Sequence, residues 1–176
     1  MKNSRIVATM LGALVFLTVA RGVQAETIQA VLTGYEENPP VSTGASGQFK
    51  ASISRNDDAI AYELSYSGLE GTVTQSHIHF GQRSVNGSIV IWLCQTATNP
   101  SPTPGTPICP SSGTVSGNLT ASDVIAAGTT SQRILAGELA EVIAAIRAGA
   151  AYVNVHSTPL TTGGEIRGQI RASRKQ

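Results

Sequence analysis

The feature that most restricts this chain is alternation with a period of two. It recurs in five separate stretches. In "TIQAVLTG" (27–34) Ile28, Ala30 and Leu32 share one face, and in "GQFKASISR" (47–55) Phe49, Ala51 and Ile53 do the same. "AIAYELSYSGL" (59–69) places Ile60, Tyr62, Leu64 and Tyr66 together, and "AAYVNVHS" (150–157) and "GEIRGQIRA" (164–172) alternate again. A pleated strand sends successive side chains to opposite faces, so such segments fit half-buried strands and not helices. Asn56-Asp57-Asp58 between the second and third stretches is a turn signal, so these two are expected to form a hairpin.

Three more stretches complete the strand set. "GTVTQSHIHFG" (71–81) is rich in β-branched residues. "SIVIWLCQ" (88–95), entered through an expected turn at Asn86-Gly87, is continuously apolar and suits burial on both faces, with Trp92 in the core. "GTVSGNLT" (113–120) reads as a short edge strand. The period changes only once: Leu139, Val142, Ile143 and Ile146 fall at i, i+3, i+4 and i+7, which predicts one amphipathic helix over about 137–148, capped at Gly149. A shorter helical turn is expected at Thr120, with Asp123 as its capping partner. The expected fold is all-β: an antiparallel sandwich or barrel of about 7–8 strands with one helix in a connection.

The N-terminus reads differently. Lys2 and Arg5 precede the apolar run 6–20, and Val23 and Ala25 are small residues at the positions a signal peptidase reads. Residues 1–25 are therefore expected to be a signal peptide, and 26–176 a single exported domain, secreted or periplasmic. After residue 25 there are nine Lys and Arg against eleven Asp and Glu. That balance gives no reason to expect nucleic acid or an anionic membrane as partner, and no later stretch is apolar enough to span a bilayer. The only two cysteines, Cys94 and Cys109, bracket a loop holding four prolines. In an exported protein they are expected to form a disulfide, stabilising by roughly 3 kcal/mol in the chain-entropy picture.

In that order, "LTGYEENPPVSTGASG", "SHIHFG" with "NGSIVIWL", "IRAGAAYVNVHS" and "GGEIRGQI" resemble the CHRD domain over about residues 27–171. This domain occurs in the extracellular protein chordin and in many secreted microbial proteins. The resemblance implies an all-β extracellular module and no settled biochemical role; the chain is expected to be an exported, non-catalytic binding module for an unknown protein or glycan, with metal binding as the alternative. The Glu-Pro-Pro-like element reads Glu37-Asn38-Pro39-Pro40 here, with Asn38 interposed. Glu36 and Glu37 are adjacent in a loop and point apart by alternation, so they are not expected to act as a pair.

The chain has three histidines, and two lie one residue apart in "SHIHFG". On a strand His77 and His79 share a face about 6.6 Å apart. Asn154 and His156, and Glu165 and Arg167, repeat that form. If these strands are neighbours, His77, His79 and His156 gather into a three-imidazole set suited to one copper or zinc ion, with Asn154, Glu165 and Arg167 around it and Glu165 ligating or orienting an imidazole. Two other readings stay open: a buried hydrogen-bonded network with no cofactor, and an ordinary solvated sheet face. "HIHFG" is also similar to the His-x-His strand of copper–zinc superoxide dismutases, whose further histidines this chain lacks. Ser76 beside His77 has no Gly-x-Ser-x-Gly setting and is not expected to be a nucleophile.

Overall fold

The computed structural model describes residues 25–128, 131–160 and 163–173. The expected leader therefore lies outside the described residues, apart from Ala25. Nine strands run β1 Glu26–Thr33, β2 Ser46–Ile53, β3 Ile60–Ser67, β4 Val73–Phe80, β5 Ser88–Cys94, β6 Gly113–Leu119, β7 Ala151–Ser157, β8 Ile166–Gln169 and β9 Arg171–Ala172, with helix α1 at Leu139–Arg147 between β6 and β7. The sheet order is β5-β4-β7-β8-β1-β2-β3-β6, with β9 also paired to β1, and every strand pair is antiparallel.

The ends of this path nearly meet. Ile91 of β5 bridges to Val124, just after β6, and the Ile125 amide donates to the Val90 carbonyl at 2.9 Å. Tyr62 of β3 donates its hydroxyl to the Leu93 carbonyl at 2.6 Å. The result is a nearly closed barrel with a single helix. The inward faces of β1, β2 and β3 are the alternating sets expected from sequence, from Ile28 to Tyr66. Leu139, Val142, Ile143 and Ile146 of α1 are buried in the same core. Arg147 in its last turn pairs with Glu26 and Asp57, which pins the helix beside the start of β1 and the β2–β3 turn. Gly149 has φ +70°, the left-handed conformation a helix C-cap demands.

Three local expectations change and a fourth, the turn at Thr120, holds. The 164–172 stretch is split, because Ile170 turns into the core between β8, which pairs with β7, and β9, which pairs with β1. The turn before β5 lies at Gln82–Val85, closed by the Val85 amide on the Gln82 carbonyl at 3.1 Å, not at Asn86-Gly87. Gly87 instead packs against the Phe80 carbonyl so closely that a Cβ there would collide with it. Trp92 is half-buried and stands outside the core. The turn at Thr120 forms as a 3-10 turn, Ala121–Asp123, with the Asp123 carboxylate accepting from the Thr120 amide at 2.8 Å.

Cys94 and Cys109 are joined, with their Cα atoms 4.9 Å apart. The ends of the proline-rich loop are tied by hydrogen bonds of 2.9 Å from the Gln95 amide to the Pro107 carbonyl and from the Cys109 amide to the Gln95 carbonyl.

Candidate functional site

Strands β4 and β7 are neighbours, with His77 opposite Asn154 and His79 opposite Tyr152, and β8 places Arg167 opposite Asn154 on the other side. One face of these strands feeds the core through Ile78, Val153, Val155 and Ile166. The opposite face carries His77, His79, Tyr152, Asn154, His156 and Arg167, and it is not solvated: every residue of β7 is buried. The face is roofed by Trp92, by Glu37 from the 34–41 loop, by the 82–87 loop and by Gly163-Gly164.

The three imidazoles meet under this roof. One nitrogen from each lies within 4.8 Å of the others, and the ring centroids are 5.1 to 6.4 Å apart. Zinc– or copper–imidazole bonds of about 2.0–2.1 Å place ligand nitrogens about 3.3–3.6 Å from one another, so the rings must draw together by roughly 1 Å to share an ion. His77 packs edge-on against Trp92 at 4.3 Å, and neither of its ring nitrogens has a hydrogen-bond partner among the described residues. Burial, reinforced by the neighbouring His156 and His79, lowers the His77 pKa to about 2, so the ring is a neutral base. An imidazole buried with two unpaired nitrogens is a costly arrangement for a purely structural residue.

His79 is held more firmly. Its Nδ1 lies 2.9 Å from the Gly87 carbonyl and its Nε2 lies 3.0 Å from Asn154 Oδ1, while its ring stacks on Tyr152 at 4.6 Å. Burial dominates its pKa, which falls to about 4 despite the hydrogen bond to Gly87. The Gly87 carbonyl only accepts, so in the neutral ring Nδ1 bears the proton, and the Nε2 lone pair faces Asn154 Oδ1, which cannot donate to it. Nδ1–H donated to a backbone carbonyl is the outer support that orients a metal-binding imidazole through Nε2.

The surrounding residues divide into two groups. Asn154 and Arg167 stand with the imidazoles. Arg167 is 1% exposed; its guanidinium lies 3.4 Å over the Tyr152 ring and donates to the Gln82 and Val85 carbonyls at 2.8 and 3.0 Å. It thereby fixes the loop that supplies the Gly87 carbonyl. Glu165 does not take the expected position beside an imidazole. It precedes β8 rather than lying in it, and its carboxylate accepts from Thr43 Oγ1 at 2.7 Å, from the Glu70 amide at 2.8 Å and from the Ser157 hydroxyl. Although burial opposes ionisation, these donors hold its carboxyl below the usual range. Its work is to tie the 43 and 70 loops to the end of β7.

Glu37 joins the site, although alternation gave it no partner. It is 4% exposed, and its carboxylate lies beside the Asn154 carboxamide, where only glycine fits at position 164: a Cβ there would strike Glu37 Oε1 and come within 2.9 Å of Asn154 Nδ2. Neither oxygen has a partner of full hydrogen-bond geometry among the described residues. Desolvation raises its pKa to about 7, while the charge of Arg167, the Asn38 amide and the Asn154 side chain act in the opposite direction. The one sequence signal was the Glu-Asn-Pro-Pro element itself, which folds the loop back over β8.

Fold and site together define a disulfide-tied, nearly closed β-barrel with a buried three-histidine face. The sequence model of the CHRD domain matches residues 28–170, nearly all of the described chain, and the chain belongs to the CHRD domain family. A search of curated proteins and a search of solved structures each return no match.

Proposed function

We propose that the chain is an exported CHRD-domain binding module whose His77, His79 and His156 hold one copper or zinc ion, with no catalytic residue of its own. The observation that carries this reading is the convergence of three imidazoles within 4.8 Å, with both nitrogens of buried His77 left without partners. An all-imidazole set without thiolate suits copper or zinc rather than calcium or magnesium. Arg167 and Tyr152 support the set by fixing the 82–87 loop and the His79 ring, and the Gly87 carbonyl fixes the His79 tautomer. Export is supported by the Cys94–Cys109 bridge, since such bridges persist in oxidising compartments. Among the described residues no helix is long and apolar enough to cross a membrane. No described residue points to a particular protein or glycan partner, so the metal reading is preferred.

Trp92 is the sole tryptophan and touches His77, so it reports on the site directly. Protein stripped with a chelator is loaded with copper(II) or zinc and desalted. Elemental analysis is expected to find about one ion per chain, and copper(II) is expected to quench Trp92 emission. His79→Ala and His156→Ala are expected to lose both signals. Background metal on folded wild-type protein rejects the proposal.

A further inference from the structure

This inference rests on the metal reading above and concerns a fourth ligand to the ion. A neutral imidazole carries one N–H, yet both nitrogens of His79 face oxygens that only accept: Nδ1 faces the Gly87 carbonyl at 2.9 Å and Nε2 faces Asn154 Oδ1 at 3.0 Å. With the proton on Nδ1, a ring lone pair and a carboxamide oxygen confront each other, and both residues are buried. Such a contact is repulsive unless positive charge lies between the two atoms. A second proton on the ring is the poorer source of that charge. It would bury an imidazolium close to Arg167, whose guanidinium lies over the same Tyr152 ring that His79 stacks on.

The carboxamide is held in this orientation from its far side. Nδ2 lies 3.4 Å from the Gly163 carbonyl and beside the Glu37 carboxylate, both of them acceptors. Reversing the group would set Oδ1 against those oxygens. Strand pairing also places Asn154 well: it lies opposite His77 and two residues before His156, on the face that carries all three imidazoles. We infer that Asn154 Oδ1 is the fourth ligand of the ion, giving a set of three imidazole nitrogens and one carboxamide oxygen. Metal bonds of about 2.0–2.2 Å to nitrogen and oxygen set two ligand atoms about 3.0–3.5 Å apart, and the His79–Asn154 pair already has that spacing. The ion supplies the positive charge that the two acceptors share. Gly163 and Glu37, drawing on Nδ2, orient the carboxamide and make its oxygen the better donor to metal.

The test compares wild type, Asn154→Leu and Asn154→Asp, each checked for folding by thermal unfolding with chelator present. Chelator-competition titrations are run with zinc and with copper(II), and the copper-loaded proteins are compared by electron paramagnetic resonance. Asn154→Leu removes the oxygen and is expected to bind about 10-fold or more weakly than wild type. Asn154→Asp returns a charged oxygen to the same place; it is expected to restore binding and to shift the copper resonance, because the charge at the metal changes. An Asn154→Leu protein that binds like wild type overturns the fourth ligand while the three-histidine site stands. So does an Asn154→Asp protein that binds no better than Asn154→Leu, or whose resonance matches wild type; Asn154 then only positions its neighbours. If neither variant folds, a crystal structure of zinc-loaded wild type decides. Oδ1 at about 2.0–2.2 Å from the ion supports the assignment, and a separation above about 3 Å overturns it. Absence of binding by folded wild type overturns the metal reading and the fourth ligand with it.

Discussion

At the scale of single residues, the roofed face is governed by groups whose preferred protonation differs between the folded and unfolded chain. Glu37 is raised from 4.5 to about 7 in the fold, chiefly by burial. Between these values the unfolded chain gives up a proton that the folded chain keeps, so stability falls as pH rises from about 4.5 to 7. The full effect amounts to about 3 kcal/mol at pH 8. Glu37→Gln does not titrate. Its unfolding free energy relative to wild type is expected to rise by up to that amount between pH 4.5 and 8, measured by urea denaturation with chelator present. Parallel pH profiles for the two proteins would show that Glu37 is solvated. His77 and His79 act on the acid side. Their pKa values are lowered to about 2 and about 4, so below about 6.5 the unfolded chain takes up protons that the fold refuses, and stability falls as pH drops. Between about pH 4.5 and 6.5 this opposes the Glu37 effect, so it is in Glu37→Gln that urea denaturation is expected to show stability declining on acidification from about pH 6.5.

At the scale of elements, the legible parts of the sequence were those in which one face met water. In β1, β2 and β3 the alternation of Ile28, Phe49 or Tyr62 with polar neighbours identified both the strand and its inner face. β7 was legible as a strand but not in its surroundings, because residues that look solvent-facing, Asn154 and His156, are buried under loops. Glu37 and Glu165 mark the limit of this reading: one lies in a loop and the other just before β8, where no periodicity assigns a direction. Trp92 was read as core from its apolar neighbours, yet its indole caps the imidazole face. Helix α1 was fixed by its stripe, and the consequence is measurable. Ile146 is fully buried, so Ile146→Ala is expected to cost about 2–4 kcal/mol in denaturant unfolding. Arg147→Ala is expected to cost about 1 kcal/mol, since its pairs are partly solvated. A larger loss for Arg147 than for Ile146 would mean that ion pairing, not packing, holds the helix.

At the scale of the whole molecule, closure depends on the segment between β5 and α1. The disulfide fixes the proline-rich loop at the end of β5, and the 120–125 segment seals β5 against the far end of the sheet. A bridge with a sequence separation of 15 contributes about 3 kcal/mol by restricting the unfolded chain. Replacing both cysteines by alanine is expected to lower stability by about that amount in urea unfolding. An unchanged midpoint would show that the loop hydrogen bonds alone suffice. Trp92 lies two positions before Cys94, so the same variant also tests whether the loop steadies the indole against His77.

β7 has no spare positions. Its odd-numbered Val153 and Val155 fill the barrel interior, while Tyr152, Asn154 and His156 build the face behind it. One inserted or deleted residue would exchange the two sets, driving polar side chains into the core and valines among the imidazoles. In this strand the fold and the site share a single reading frame, so neither can drift without the other.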